Sequence, residues 1–73
     1  MKKVLWTSKN NKWKIGIVEW HPNSKKSWNK YAISDGWFTQ YPTVYDDNTI
    51  GYSYPYKLPK YVKEKAKELL LAS

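Results

Sequence analysis

A chain of 73 residues with no cysteine and a single histidine has to stabilise its fold by side-chain packing. Disulfides and thiolate zinc sites, the common reinforcements of domains this small, both need cysteine. The sequence is instead rich in aromatic residues: five tryptophans, seven tyrosines and one phenylalanine. Each buried aromatic side chain removes about 150–250 Å² from water, so some of the tryptophans are expected in the core. We expect one small domain spanning residues 1–73.

Short apolar segments with alternating polarity run through residues 1–56 and predict about five antiparallel strands. The pair Asp35-Gly36 predicts a tight hairpin turn, because both residue types tolerate positive φ. Pro42 has no amide hydrogen for a strand ladder and should interrupt the fourth segment. The predicted strands cover residues 3–7, 12–20, 28–33, 37–41 and 50–54, with a short resumption at 43–45.

The last part of the chain, residues 59–72, has the periodicity of a helix. Pro59 suits a helix start, and the apolar residues that follow fall on one face: Val62, Ala66, Leu69 and Leu70. A helix this short is not stable alone, so its apolar face should dock on the sheet. The predicted fold class is mainly β (α+β). Its strands would form a small SH3- or OB-like barrel or a curved sheet, followed by one C-terminal helix.

All thirteen basic residues are lysines, and they are unevenly distributed along a chain of net charge +7. Residues 1–30 contain eight lysines and one acid, whereas residues 31–56 contain no lysine and three aspartates. On a strand, Lys12 and Lys14 would project to one face and Trp13 to the other, so Trp13 is expected in the core. An arginine-free, lysine-rich composition is also typical of AT-rich genomes, which leaves a merely solvated surface as an alternative interpretation.

Lysine and tryptophan interleave in the basic segment, a combination typical of nucleic-acid binding. Ammonium groups neutralise phosphates, and exposed aromatic rings stack on bases. We therefore predict a nucleic-acid-binding protein of low sequence specificity. The candidate phosphate ligands are Lys3, Lys9, Lys12, Lys14, Lys25, Lys26 and Lys30, and the candidate stacking residues are Trp6, Trp20 and Trp28.

The acidic, aromatic-rich middle of the chain supports a second hypothesis, a small inhibitor or adaptor, including one of viral origin, that binds a larger protein. Tyrosine and tryptophan are enriched at protein interfaces. Tyr52 and Tyr54 alternate in a predicted strand and should share one face of the sheet. The candidate residues for this surface are Trp37, Tyr41, Tyr45, Tyr52 and Tyr54. Homodimerisation through a strand edge is compatible with either hypothesis.

Other classes of function are not indicated by the sequence. There is no nucleophile motif, glycine-rich phosphate loop or set of metal ligands, so we expect no enzymatic activity, cofactor or metal site. His21 stands alone in a loop, and residues 46–49 lack the calcium-loop pattern and predict a turn. No apolar run approaches the ~18 residues of a membrane helix, and no signal-peptide apolar region follows the first lysines. We expect a cytoplasmic protein.

Overall fold

A computed structural model describes residues 2–18 and 30–71 of the chain. Within these ranges the protein is mainly β, with two antiparallel sheets and one C-terminal helix. Four strands form one sheet in chain order, and two form a second sheet. The elements are β1 (Lys3–Thr7), β2 (Lys14–Ile17), β3 (Tyr31–Ser34), β4 (Thr39–Gln40), β5 (Thr43–Val44), β6 (Ile50–Gly51) and α1 (Lys60–Leu71).

The mainly β class with a C-terminal helix is confirmed. Both sheets are open in the described part of the chain, so the predicted SH3- or OB-like barrel is not confirmed. Strand β1 has the predicted bounds, and α1 lies one residue inside the predicted helix at each end. No helix within residues 2–18 and 30–71 is long and apolar enough to cross a membrane.

Strand β2 starts two residues later than predicted because the turn before it holds Trp13 in place. The Trp13 amide donates a hydrogen bond of 2.9 Å to the Ser8 hydroxyl, and the Ser8 amide donates one of 2.9 Å to the Trp13 carbonyl. Asn11 completes the turn with a φ of 60°, a conformation that asparagine tolerates better than most residues. The end of the predicted strand, Glu19 and Trp20, lies outside the described residues.

The predicted strand 50–54 ends at Gly51, and the backbone beyond it is bonded to a side chain of the four-stranded sheet. Gln40 donates from Nε2 to the Tyr54 carbonyl at 3.2 Å and accepts from the Tyr54 amide at 3.1 Å. A 3-10 helix over Pro55–Lys57 follows directly. Tyr52 therefore packs against the core while Tyr54 is exposed, and the predicted sharing of one sheet face by these two tyrosines is wrong.

The core lies between one face of the four-stranded sheet and α1. It consists of buried residues from β2, β3, the flanking turns and the helix: Trp13, Ile15, Ile33, Leu58, Val62, Ala66 and Leu70. The predicted burial of Trp13 and of the apolar helix face is thereby confirmed. Strand alternation directs the neighbours of Ile15 and Ile33 to the opposite side of the sheet, the outer face.

Candidate functional site

The outer face of the four-stranded sheet carries a groove of about 460 Å³, here called the outer groove. At its base Gly16 of β2 pairs with Val4 of β1 and with Ala32 of β3, and Val4 and Ala32 both line the groove. The groove is lined by Val4, Asn11, Lys12, Lys14, Val18, Ala32, Ser34, Asp35, Gly36, Thr39 and Tyr41.

Two lysines stand at one end of the outer groove, as the strand alternation predicted. Lys12 and Lys14 are both exposed, and Trp13 between them is only 6% exposed on the core side. Lys14 pairs across the sheet with Ser34, and Ser34 pairs with Thr39, so hydroxyl groups continue the row. This row combines two cationic groups with two neutral hydrogen-bond donors.

The β3–β4 loop closes the same end of the groove and presents a tryptophan to solvent. Its residues 35–38 form a longer turn than the tight one predicted, with Gly36 at a φ of 91°. The carboxylate of Asp35 accepts hydrogen bonds from the amides of Trp37 at 2.9 Å and Phe38 at 2.8 Å. The Trp37 side chain is 96% exposed. Asp35 and Gly36 line the groove, and Trp37, the next residue in the loop, is not part of the lining.

The Asp35 carboxylate has a pKa below its ordinary value, chiefly because the Phe38 and Trp37 amides donate to its charged form, with a further contribution from Lys12. A lowered folded-state pKa adds stability above the ordinary carboxyl pKa of about 4, and this stability is lost as pH falls through the folded value. We expect Asp35→Asn, which keeps a carbonyl acceptor, to lose less stability than wild type between neutral pH and about pH 2.

Urea denaturation at a series of pH values measures this effect. Asp46→Asn removes an equal charge from the β5–β6 turn and serves as the matched control. An Asp35→Asn variant with the same acid dependence as both wild type and this control would contradict the assigned role of the Asp35 hydrogen bonds.

The remaining predicted nucleic-acid ligands do not gather on the outer face. A β-bulge between Val4 and Trp6 moves Trp6 to the core side, opposite Ile15. There Trp6 is half-buried, and its ring meets that of Tyr61 edge-on at 6.5 Å. The others are dispersed: Lys3 follows the strand face opposite to Val4, Lys9 lies in the β1–β2 turn, and Lys30 places its ammonium 5.7 Å from the Tyr31 ring. Lys25, Lys26, Trp20 and Trp28 lie outside the described residues.

The aromatic residues of the second hypothesis are only partly brought together. Tyr54 meets the Phe38 ring edge-on at 4.8 Å and the Tyr56 ring at 6.2 Å. The Lys57 ammonium lies 5.0 Å from the Phe38 ring. Phe38 and Tyr56 belong to the aromatic stretch of the sequence but were not among the candidate residues predicted for this surface. The predicted members divide among surfaces: Trp37 on the β3–β4 loop, Tyr41 at the outer groove, Tyr45 beside Gly51, Tyr52 against the core.

Among the described residues, no three carboxylate or imidazole side chains come together in a way that could hold a metal ion. Asp47 instead accepts hydrogen bonds from the amide and hydroxyl of Thr49, which forms the turn that the sequence predicted. The outer groove, with its two lysines and the adjoining loop that carries the exposed Trp37, is thus the strongest candidate site. Comparison with protein-family models, curated proteins and solved structures found no match to this chain.

Proposed function

We propose that this protein binds single-stranded nucleic acid with low sequence specificity, through the outer groove and the Trp37 indole. The observation that carries the proposal is the position of Lys12 and Lys14 at the same end of one groove as the loop bearing a 96% exposed tryptophan. Cationic groups beside an exposed aromatic ring are the combination used by proteins that bind single strands.

The lysines would contact phosphates. Both side chains are exposed and line the outer groove, Lys14 from the start of β2 and Lys12 from the turn before it. The one carboxylate in the groove, Asp35, has its Oδ1 engaged by two backbone amides of its own loop. The Asp35 carboxylate offsets one of the two lysine charges, so the groove keeps an excess of positive charge. Two phosphate contacts predict a slope of about −1.4 for log affinity against log salt.

Trp37 would stack on a base. An indole that is almost fully exposed offers both faces to a planar partner, and a base is free to stack on it when it is unpaired. This assigns the stacking role to a residue that was expected in a protein-binding surface, in place of the half-buried Trp6. Stacking of this kind contributes about 1–3 kcal/mol for each base.

Low specificity follows from the side chains available at the groove. The chain has no arginine, so bidentate recognition of guanine edges by a guanidinium is absent. Lysine acts as a point charge toward phosphate and does not read base identity. We therefore expect the protein to prefer bases that stack strongly, rather than a particular base sequence.

The proposal is tested by fluorescence anisotropy of a short labelled oligonucleotide, single- or double-stranded, at several salt concentrations. We expect Trp37→Ala to weaken single-strand binding by about 5- to 100-fold through loss of the stacked ring. We expect the double variant Lys12→Gln/Lys14→Gln to flatten the salt dependence by about 1.4 in slope. Wild type should prefer the single strand.

The double variant Lys60→Gln/Lys67→Gln is the matched control for charge, since it removes the same two charges from α1. Tyr45→Ala is the control for an exposed aromatic ring, since Tyr45 is 53% exposed and directly follows β5. Equal losses in the two lysine pairs would mean that net charge alone drives association, and would contradict the proposed groove. No binding to either oligonucleotide would also overturn the proposal, and would favour a protein partner at the aromatic surface.

A further inference from the structure

A second groove, here called the helix groove, separates α1 from the turn that joins β5 to β6. It has a volume of about 360 Å³ and opens to solvent. Its apolar floor is formed by Ile50, Tyr52 and Leu71, and its rim along the helix by Lys60, Lys63 and Lys67. None of these residues belongs to the outer groove, so this site is independent of the proposed function.

The three lysines form one stripe because they are spaced by three and four residues along α1. Glu64 lies on the same stripe, which leaves an excess of two positive charges at the groove. No carboxylate of residues 2–18 or 30–71 lies within 4 Å of these three ammonium groups. Lys65, two positions from both Lys63 and Lys67, is by contrast paired with Glu68 at 3.2 Å. The rim therefore holds cations available to an anion.

The floor is suited to an apolar partner. Ile50 and Tyr52 are half-buried and pack against the core, and their outward surfaces together with Leu71 supply the apolar lining of the groove. Burial raises the pKa of the Tyr52 hydroxyl, as expected where water has limited access. A ligand that fills the groove would remove this apolar surface from water without rearranging the core.

We propose that the helix groove binds a free medium-chain fatty acid, with its carboxylate at the lysine rim and its alkyl chain on the floor of Ile50, Tyr52 and Leu71. The volume lies at the lower end of the range for small-molecule sites, which begins at about 300 Å³. A peptide helix would need a longer groove, and a nucleic-acid phosphate would leave the apolar floor uncovered. Charge complementarity selects the acid over a neutral chain of the same length.

The probe is sodium decanoate, titrated below its micelle concentration into the isotopically labelled full chain and followed by amide chemical shifts in NMR. We expect saturable binding of one decanoate, with shifts confined to residues 48–52 and 60–71. Decanol, which has the same chain and no charge, should bind at least about tenfold more weakly. The variant Lys60→Gln/Lys67→Gln should reduce decanoate affinity by about the same factor.

The variant Lys12→Gln/Lys14→Gln has the same net charge as Lys60→Gln/Lys67→Gln but keeps the helix groove intact. It should therefore bind decanoate like wild type. If both double variants lose the same amount of decanoate affinity, the proposal is overturned, because the carboxylate is then attracted only by the net positive charge of the protein. Decanol binding as tightly as decanoate would overturn the role of the lysine rim. Adsorption to vesicles of phosphatidylglycerol without saturable decanoate binding would identify a lipid surface as the partner and overturn the free fatty acid. Each outcome is distinct from loss of oligonucleotide binding.

Discussion

Trp13→Ala is expected to leave most of the protein unfolded at room temperature. Trp13 is 6% exposed and belongs to the cluster that joins β2 and β3 to α1. Removing a buried tryptophan side chain costs about 3–5 kcal/mol through lost burial and the cavity that remains. The core of a domain of this size supplies only about 3–5 kcal/mol in total. The expected loss therefore equals the whole stability of the fold.

Circular dichroism in the far ultraviolet and urea denaturation measure this loss. Trp37→Ala is the matched control, because it is the same substitution at a 96% exposed site. We expect it to change stability by no more than about 0.5 kcal/mol. A folded Trp13→Ala protein with near wild-type stability would contradict the assignment of Trp13 to the core.

Gln40→Ala is expected to destabilise the protein by about 2 kcal/mol although it removes no apolar side chain. Gln40 is 3% exposed, and its amide group makes both hydrogen bonds to the backbone of Tyr54. These bonds tie the end of the four-stranded sheet to the segment that leads into Leu58 and α1. Alanine would leave the Tyr54 amide and carbonyl without these partners. Hydrogen exchange at the Tyr54 amide should accelerate along with the loss measured in urea.

Gln40→Glu separates the hydrogen bonds from the packing. A carboxylate still accepts from the Tyr54 amide, but it cannot donate to the carbonyl and it carries a charge into a buried site. A protonated carboxyl restores the donor, so the deficit of this variant relative to wild type should shrink as pH falls. A deficit that stays constant with pH would show that Gln40 acts by packing alone.

Much of the fold was predictable because its signals are local. The β1 strand, the hairpin between β3 and β4, and α1 follow from alternation, from Asp35-Gly36 and from helical periodicity. The pattern Lys12-Trp13-Lys14 correctly separated the core face of β2 from the outer face. Each of these features depends on residues within one turn or two strands, where side-chain direction is set by backbone geometry.

The bulge in β1 could not be predicted from the same rules. Alternation places Val4 and Trp6 on one face, whereas an extra residue between them turns Trp6 toward Ile15 and the core. The physical reason for the bulge is that the Trp6 indole is stabilised more by packing next to Tyr61, where it is half-buried, than it would be on the exposed face. The prediction that Trp6 stacks on a base rested on local sequence alone, which does not include the energy of packing Trp6 against the distant Tyr61.

The composition and the local patterns determined the class of fold, the helix, the buried Trp13 and the two exposed lysines that flank it. Only the tertiary structure decided which aromatic ring is exposed and which cations share a groove. Trp37 is more than twenty residues from Lys12 and Lys14, and strand pairing of Lys14 with Ser34 and of Ser34 with Thr39 brings the β3–β4 loop to the same end of the sheet. The Gln40–Tyr54 bonds likewise join residues fourteen apart. Contacts of this kind depend on the summed packing of the whole chain, which no local sequence signal encodes.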